Sequence, residues 1–180
     1  MIAAALLIAA ATAAQPVDVA LDTTAGTIVV RLDTEHAPVT TANFLRHVRA
    51  HDYDGATFYR TVNKRAEPQS NIEVIQGGLG DRAATMPTIP IEPTSKTGLH
   101  NDDGAIAMAR TSNPNSASTE FFIDVGNDRF LDADGPLPPG YAVFGHVVKG
   151  MSVVHAIHDA PATGESLTTP IRILHAHVIP

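Results

Sequence analysis

Between Val17 and Leu32 the chain alternates in hydrophobicity with a period of two. Val17, Val19 and Leu21 are separated by polar or small residues, TTAGT interrupts them, and Ile28, Val30 and Leu32 resume the pattern. That period belongs to a strand with one wet and one buried face. Gly26 is free to take the positive φ that a tight reversal asks for. The stretch is therefore a β-hairpin. A hairpin with an apolar face is not stable alone and needs further strands to cover it.

The rest of the chain supplies them. Apolar runs recur at 56–62, 72–76, 104–110 (GAIAMAR), 120–125 (EFFIDV), 140–148 (GYAVFGHVV) and 169–180 (TPIRILHAHVIP). Gly77-Gly78 closes the second run, and the polar stretches NKRAEPQSN (63–71) and TSNPNSAST (111–119) read as exposed loops. Pro87, Pro90 and Pro93 keep 79–103 free of long regular elements. Two segments carry helical spacing instead. In VTTANFLRHVRAH (39–51), Phe44, Leu45 and Val48 form the apolar stripe, Arg46, His47 and Arg49 face water, and Pro38 fits the first turn. In KGMSVVHAIHDA (149–160) the stripe is Met151, Val154 and Ile157. Many short antiparallel strands lose their exposed edges by closing on themselves, so a mainly β barrel is the expected architecture. There is no internal repeat and no shift of composition, so residues 15–180 are expected to form one domain.

Residues 1–14, MIAAALLIAAATAA, carry no charged side chain and are too short for a membrane span of about 20 residues. Ending in small residues ahead of Gln15-Pro16, they read as a signal peptide cleaved near Ala13 or Ala14, with the α-amino group as the only positive end. The mature chain is then expected to be periplasmic or secreted, without membrane attachment. Twelve Lys and Arg stand against nineteen Asp and Glu, no basic run occurs, and there is no Trp. Such a surface does not neutralise phosphates or stack bases, which excludes a nucleic-acid partner.

Taken in order, TFYR, VIQGG, GAIAMAR, TEFFIDV, RFLD and GYAVFGHVVKGM resemble the motifs of the cyclophilins, the peptidyl-prolyl cis/trans isomerases, most of all the exported bacterial branch. The likeness runs from about Val17 to the C-terminus. It implies a closed eight-stranded antiparallel β-barrel capped by two α-helices, a monomer without cofactor or metal, and proline-containing polypeptides as partners. The resemblance places the catalytic arginine at Arg60 and the active-site glutamine at Gln76. It makes Val74, Phe122 and Leu131 the floor for a proline ring. Ala109 and Arg110 fall where the bound peptide's backbone is paired, Phe130 where the family often has tryptophan, and Tyr141 where it often has histidine.

Those residue types suit the reaction. Rotation about a peptide bond breaks no bond but costs about 18–20 kcal/mol, because the C–N bond has partial double-bond character. In the twisted amide the prolyl nitrogen regains a lone pair. A guanidinium can donate to it from a fixed, permanently charged fork, while an apolar slot grips the ring.

The chain also departs from the pattern. Sixteen positions separate Arg60 from Gln76, about twice the usual step, so 63–71 is an insertion beside the site. Glu73-Val74 replaces a Phe-Met pair, which leaves Glu73 outside the pocket, and Glu120 stands where a glutamine is common. If these carboxylates paired with Arg60 they would compete with substrate, and the chain would be a cyclophilin-like binding module for proline-containing or unfolded segments. Two further readings are weaker. His155 and His158, and His175 and His177, stand at ligand spacings but lack an acidic partner in a metal motif, so they read as surface histidines. No serine lies in a G-x-S-x-G elbow.

Overall fold

A computed structural model describes residues 15–65 and 67–180 of the chain. The expected signal peptide, 1–14, therefore lies outside the described residues. Among the described residues nine strands follow one another as β1 (Val17–Thr23), β2 (Gly26–Leu32), β3 (Thr57–Val62), β4 (Val74–Gly78), β5 (Ala105–Met108), β6 (Phe121–Asp124), β7 (Ala142–Lys149), β8 (Ala162–Thr163) and β9 (Ser166–Val178). Their hydrogen-bonded order is β1-β2-β7-β5-β6-β4-β3-β9, and β9 returns to β1. Every pairing is antiparallel, so eight strands close into a barrel and β8 is a short addition to β9.

The alternation read from the sequence becomes the division between the barrel's two faces. Leu21, Ile28, Val30, Phe58, Ile75, Ile106, Phe121, Ile123 and Phe144 point inward and are fully buried. Helix α1 (Pro38–Arg49) adds Phe44, Leu45 and Val48 to this interior, and Phe44 meets Phe121 edge to face at 5.6 Å. After a single turn, α2 (Thr94–Thr97), comes α3 (Met151–His158), which adds Val154 and Ile157. A second apolar cluster lies on the outer wall, made of Val62, Val74, Ala105, Ala107, Phe122, Leu131 and Val143. A barrel strand with an apolar residue on its outer face has something else to cover it, and here the 126–141 loop does so.

Three details differ from the sequence expectation. His47 does not face water: it is fully buried, its Nδ1 lies 2.8 Å from the Asp52 carboxylate, and its Nε2 lies 3.0 Å from Arg46. Both ring nitrogens have partners, so the imidazole can pack against Tyr53 without an unpaired polar atom. His158 is also buried rather than on the surface. Its Nε2 stands 3.0 Å from the Val62 carbonyl, and burial lowers its pKa, which favours the neutral ring. Finally, Gly77 and Gly78 do not lie beyond the strand but form the last two residues of β4. A Cβ on Gly77 would stand 2.8 Å from the Thr57 carbonyl oxygen, so the glycine there answers to close strand packing.

Candidate active site

A β-bulge builds the site. Phe58 pairs with Gly77 and Arg60 with Gln76, leaving Tyr59 as the extra residue in β3. Phe58 stays inside the barrel while Tyr59 and Arg60 both emerge, half-buried, on the outer wall. On the neighbouring strand β4, Val74 and Gln76 share that outer face, and on β6 Phe122 does.

These side chains border a cleft of about 270 Å³, lined by Arg60, Ile72, Val74, Gln76, Ala109, Arg110, Phe122, Leu131 and Tyr141. Eight of the nine residues named from the sequence are thus brought together. Phe130 is not in the lining: it sits beside Leu131 in a short 3₁₀ turn and is 36% exposed. Ile72 is an additional lining residue. It follows the inserted loop and supplies apolar wall beside Val74. A wider hollow of about 590 Å³ elsewhere on the barrel is lined by Arg31, Asp33, His36, His100 and His146. It is larger than the cleft, but Arg31 is spent on Asp18 and His36 on Asp33, and neither Arg60 nor Gln76 reaches it.

The polar side of the cleft is a directed chain of hydrogen bonds. Arg60 Nη1 donates to Gln76 Oε1 at 2.6 Å, Gln76 Nε2 donates to the Tyr59 hydroxyl at 2.8 Å, and that hydroxyl donates to Glu120 Oε2 at 2.6 Å. Glu120 Oε1 in turn accepts the Gly80 N–H at 3.0 Å. Burial, together with the adjacent Glu120 carboxylate, holds the Tyr59 pKa far above its ordinary value, so the phenol remains a donor. On its other side Arg60 Nε donates to Glu165 Oε2 at 2.6 Å. That partner was not read from the sequence. It lies 105 residues away in the β8–β9 turn, and no local pattern connects the two.

The carboxylates suspected of competing for Arg60 are engaged elsewhere. Glu120 is held by Tyr59 and Gly80, while the Glu73 carboxylate lies 3.2 Å from Lys64 Nζ. The backbone of Glu73 is tied down as well, its N–H donating to Asp128 at 3.1 Å. Burial raises the pKa of Asp128 to about 6, and the Glu73 N–H bond acts against that rise.

The apolar side is held by the 126–141 loop. Asp132 accepts from Asn101 N–H at 2.9 Å and from its Nδ2 at 2.7 Å, and it lies 2.6 Å from His100 Nδ1. The Tyr141 N–H bonds the Leu131 carbonyl at 3.0 Å, which joins the two lining residues of the loop. Tyr141 meets Phe122 edge to face at 5.4 Å and lies under the Arg110 guanidinium at 4.6 Å. Arg110 also donates from Nε to the Gly140 carbonyl at 2.8 Å. Its charge therefore stiffens the rim, and Arg60 is the cation presented to the cleft. The arrangement offers a fixed guanidinium beside an apolar slot, without a nucleophile.

Comparison with known proteins agrees with this geometry. The profile of the family described as "Cyclophilin type peptidyl-prolyl cis-trans isomerase/CLD" matches residues 17–178. The chain is 41% identical over 152 residues to the peptidyl-prolyl cis-trans isomerase cyp18 of Streptomyces antibioticus, covering 82% of this chain and 86% of that protein. It is 37% identical over 152 residues to peptidyl-prolyl cis-trans isomerase B of Escherichia coli, covering 82% and 87%. Among solved structures, a cyclophilin-type isomerase of Cryptosporidium parvum superposes with a TM-score of 0.76 at 19% identity, covering 92% of this chain and 99% of that one, a likeness of fold.

Proposed function

The chain belongs to the cyclophilin-type peptidyl-prolyl cis-trans isomerases, and from that membership we propose how its own cleft speeds rotation about X-Pro bonds. The two planar isomers of such a bond lie within about 1 kcal/mol, yet they exchange over tens of seconds. A catalyst has only to bind the twisted amide better than either planar form. Val74, Phe122 and Leu131, with Ile72, hold the pyrrolidine ring, so that rotation is confined to the carbonyl side. Arg60 then donates to the prolyl nitrogen as its lone pair is released. The slot partly excludes water, which strengthens this charged hydrogen bond where it is needed. Gln76 holds the guanidinium in place, while Ala109 and Arg110 border the path of the peptide backbone, with Tyr141 and Phe130 at its rim.

The observation that carries this reading is the convergence of Arg60 and Phe122 on one cleft of about 270 Å³. The test is a protease-coupled prolyl-peptide assay on the purified chain and on Arg60→Ala. Turnover well above the uncatalysed rate, falling at least tenfold in the variant, is expected; tenfold corresponds to about 1.4 kcal/mol of lost transition-state binding. Equal rates from two folded proteins would favour a binding module without turnover.

The substrates proposed are proline-containing segments of exported proteins, handled by a monomer comprising residues 15–180 after removal of 1–14 as a signal peptide. The absence of charged side chains in 1–14 supports this. N-terminal sequencing of protein recovered from the periplasm tests it: an intact residue 1 in cytoplasmic material overturns it.

A further inference from the structure

Given the catalytic role proposed for Arg60, we infer that Glu165 is the positioning residue for its guanidinium, which makes the β8–β9 turn part of the catalytic apparatus. Strand β8 reverses into β9 through Gly164 and Glu165, with Thr163 paired to Ser166 and Gly164 in the left-handed region at φ 57°. That turn is fastened to the catalytic strand. Ser166 pairs with Arg60, and the Thr61 N–H donates to the Glu165 carbonyl at 2.9 Å. The backbone of Glu165 is thus pinned beside the residue whose side chain its carboxylate grips.

The grip is directional. A guanidinium is planar, so two bonds from different nitrogens fix its plane and its rotation together. Glu165 takes Nε at 2.6 Å and Gln76 takes Nη1 at 2.6 Å. Among the described residues Nη2 has no hydrogen-bond partner, and it remains to serve the substrate. Glu165 is not itself a lining residue of the cleft, so it acts through Arg60. Both side chains of the pair are about one-third exposed, at 32% and 37%. An ion pair so accessible to water does little for stability, but it can still decide where the arginine points, and an ångström of misplacement suffices to reduce turnover.

The experiment compares the parent with Glu165→Ala, Glu165→Gln and Arg60→Ala in the prolyl-peptide assay, with kcat and KM determined separately. In Glu165→Ala, kcat is expected to fall about five- to twentyfold with KM within about twofold, because binding of the ring is untouched while the donor is misplaced. Glu165→Gln, which keeps the volume and an acceptor, is expected to fall between parent and alanine variant. Added formate should restore part of the kcat of Glu165→Ala and do nothing for Arg60→Ala. The Arg60 Nε–H resonance in ¹⁵N spectra should shift in both Glu165 variants. Unchanged or raised kcat in both of them, with Arg60→Ala impaired, overturns the positioning role alone. No loss in Arg60→Ala overturns the catalytic assignment beneath it, and this role with it. Should the alanine variant fail to fold, the glutamine variant carries the test: parental kcat together with a displaced Arg60 resonance is the overturning result.

Discussion

The hydroxyl of Tyr59 receives the Nε2–H of Gln76 at 2.8 Å and gives its own proton to Glu120 Oε2 at 2.6 Å. One direction of donation runs along the whole chain, because a guanidinium only donates and a carboxylate only accepts. The orientation of the Gln76 amide follows: with its nitrogen on Tyr59, its oxygen is left for Arg60. Tyr59→Phe removes the hydroxyl and nothing else, which frees the amide to turn and takes the donor from Glu120 Oε2, while Oε1 keeps the Gly80 N–H. We expect kcat to fall about three- to tenfold with little change in KM, as for an interaction worth about 1 kcal/mol that orients rather than binds. Steady-state kinetics of the phenylalanine variant check this.

Asp124 is fully buried at the end of β6, and neither carboxylate oxygen has a hydrogen-bond partner among the described residues. Burial, reinforced by Asp128, Asp132, Asp102 and Asp103, raises its pKa well above the ordinary value. Asp128 is raised to about 6 by burial. In both cases the folded chain holds the proton more tightly than the unfolded chain, whose aspartates titrate at about 3.9. The stability they contribute is therefore full below about pH 4 and is lost as pH rises, through about 6 for Asp128 and further for Asp124. The urea midpoint should accordingly be lower at about pH 7.5 than at about pH 4.5. Asp124→Asn keeps the shape but removes the titration, so its stability relative to the parent should rise between about pH 4.5 and about pH 7.5. Urea titrations at the two pH values measure both effects.

How far the sequence announced this molecule depends on the range of the interactions involved. Alternation exposes a strand's two faces directly, so the hairpin of β1 and β2 and the buried runs at β5 and β6 were legible, and the family motifs brought Arg60, Gln76 and Phe122 together. Local pattern was silent about pairs made by tertiary contact. His47 and His158 looked like surface residues because imidazoles often are, yet His47 is buried against Asp52 and Arg46 close by in the chain, and His158 against the Val62 carbonyl, far from it in sequence. Gly77 looked like a stop, whereas the Thr57 carbonyl beneath it explains why no side chain fits. Glu165 carried no signal at all, since its meaning comes from a hairpin that folds back onto β3.

Phe130 gives a prediction about inhibition. The family resemblance implies that a tryptophan at this position donates its indole N–H to the cyclic peptide cyclosporin, and a phenyl ring has no donor. The residue is 36% exposed beside Leu131, so a larger ring can be accommodated there without disturbing the core. Cyclosporin should bind the parent weakly, and Phe130→Trp should lower Kd about three- to tenfold, the worth of one hydrogen bond. Calorimetric titration of both proteins checks this, and tight binding by the parent contradicts it.

Directly after the inserted loop two neighbours take different roles. Glu73 and Ile72 are adjacent, but only Ile72 lines the cleft, while the Glu73 carboxylate turns to Lys64 at 3.2 Å. That ion pair is partly exposed and contributes little to stability. The tie between the Glu73 backbone and Asp128 needs no side chain and survives substitution. Glu73→Ala should therefore leave kcat/KM within about twofold of the parent, since a charge that neither contacts Arg60 nor faces the slot has no differential effect on the twisted amide. Ile72→Ala removes apolar wall that the ring would touch. It should raise KM about three- to tenfold with kcat less affected, as expected when roughly 1 kcal/mol of uniform binding is lost. Activity that rises in Glu73→Ala and is unchanged in Ile72→Ala would mean that the loop turns its other face to the cleft in solution. The same pair of variants thus tests which side of the insertion the substrate meets.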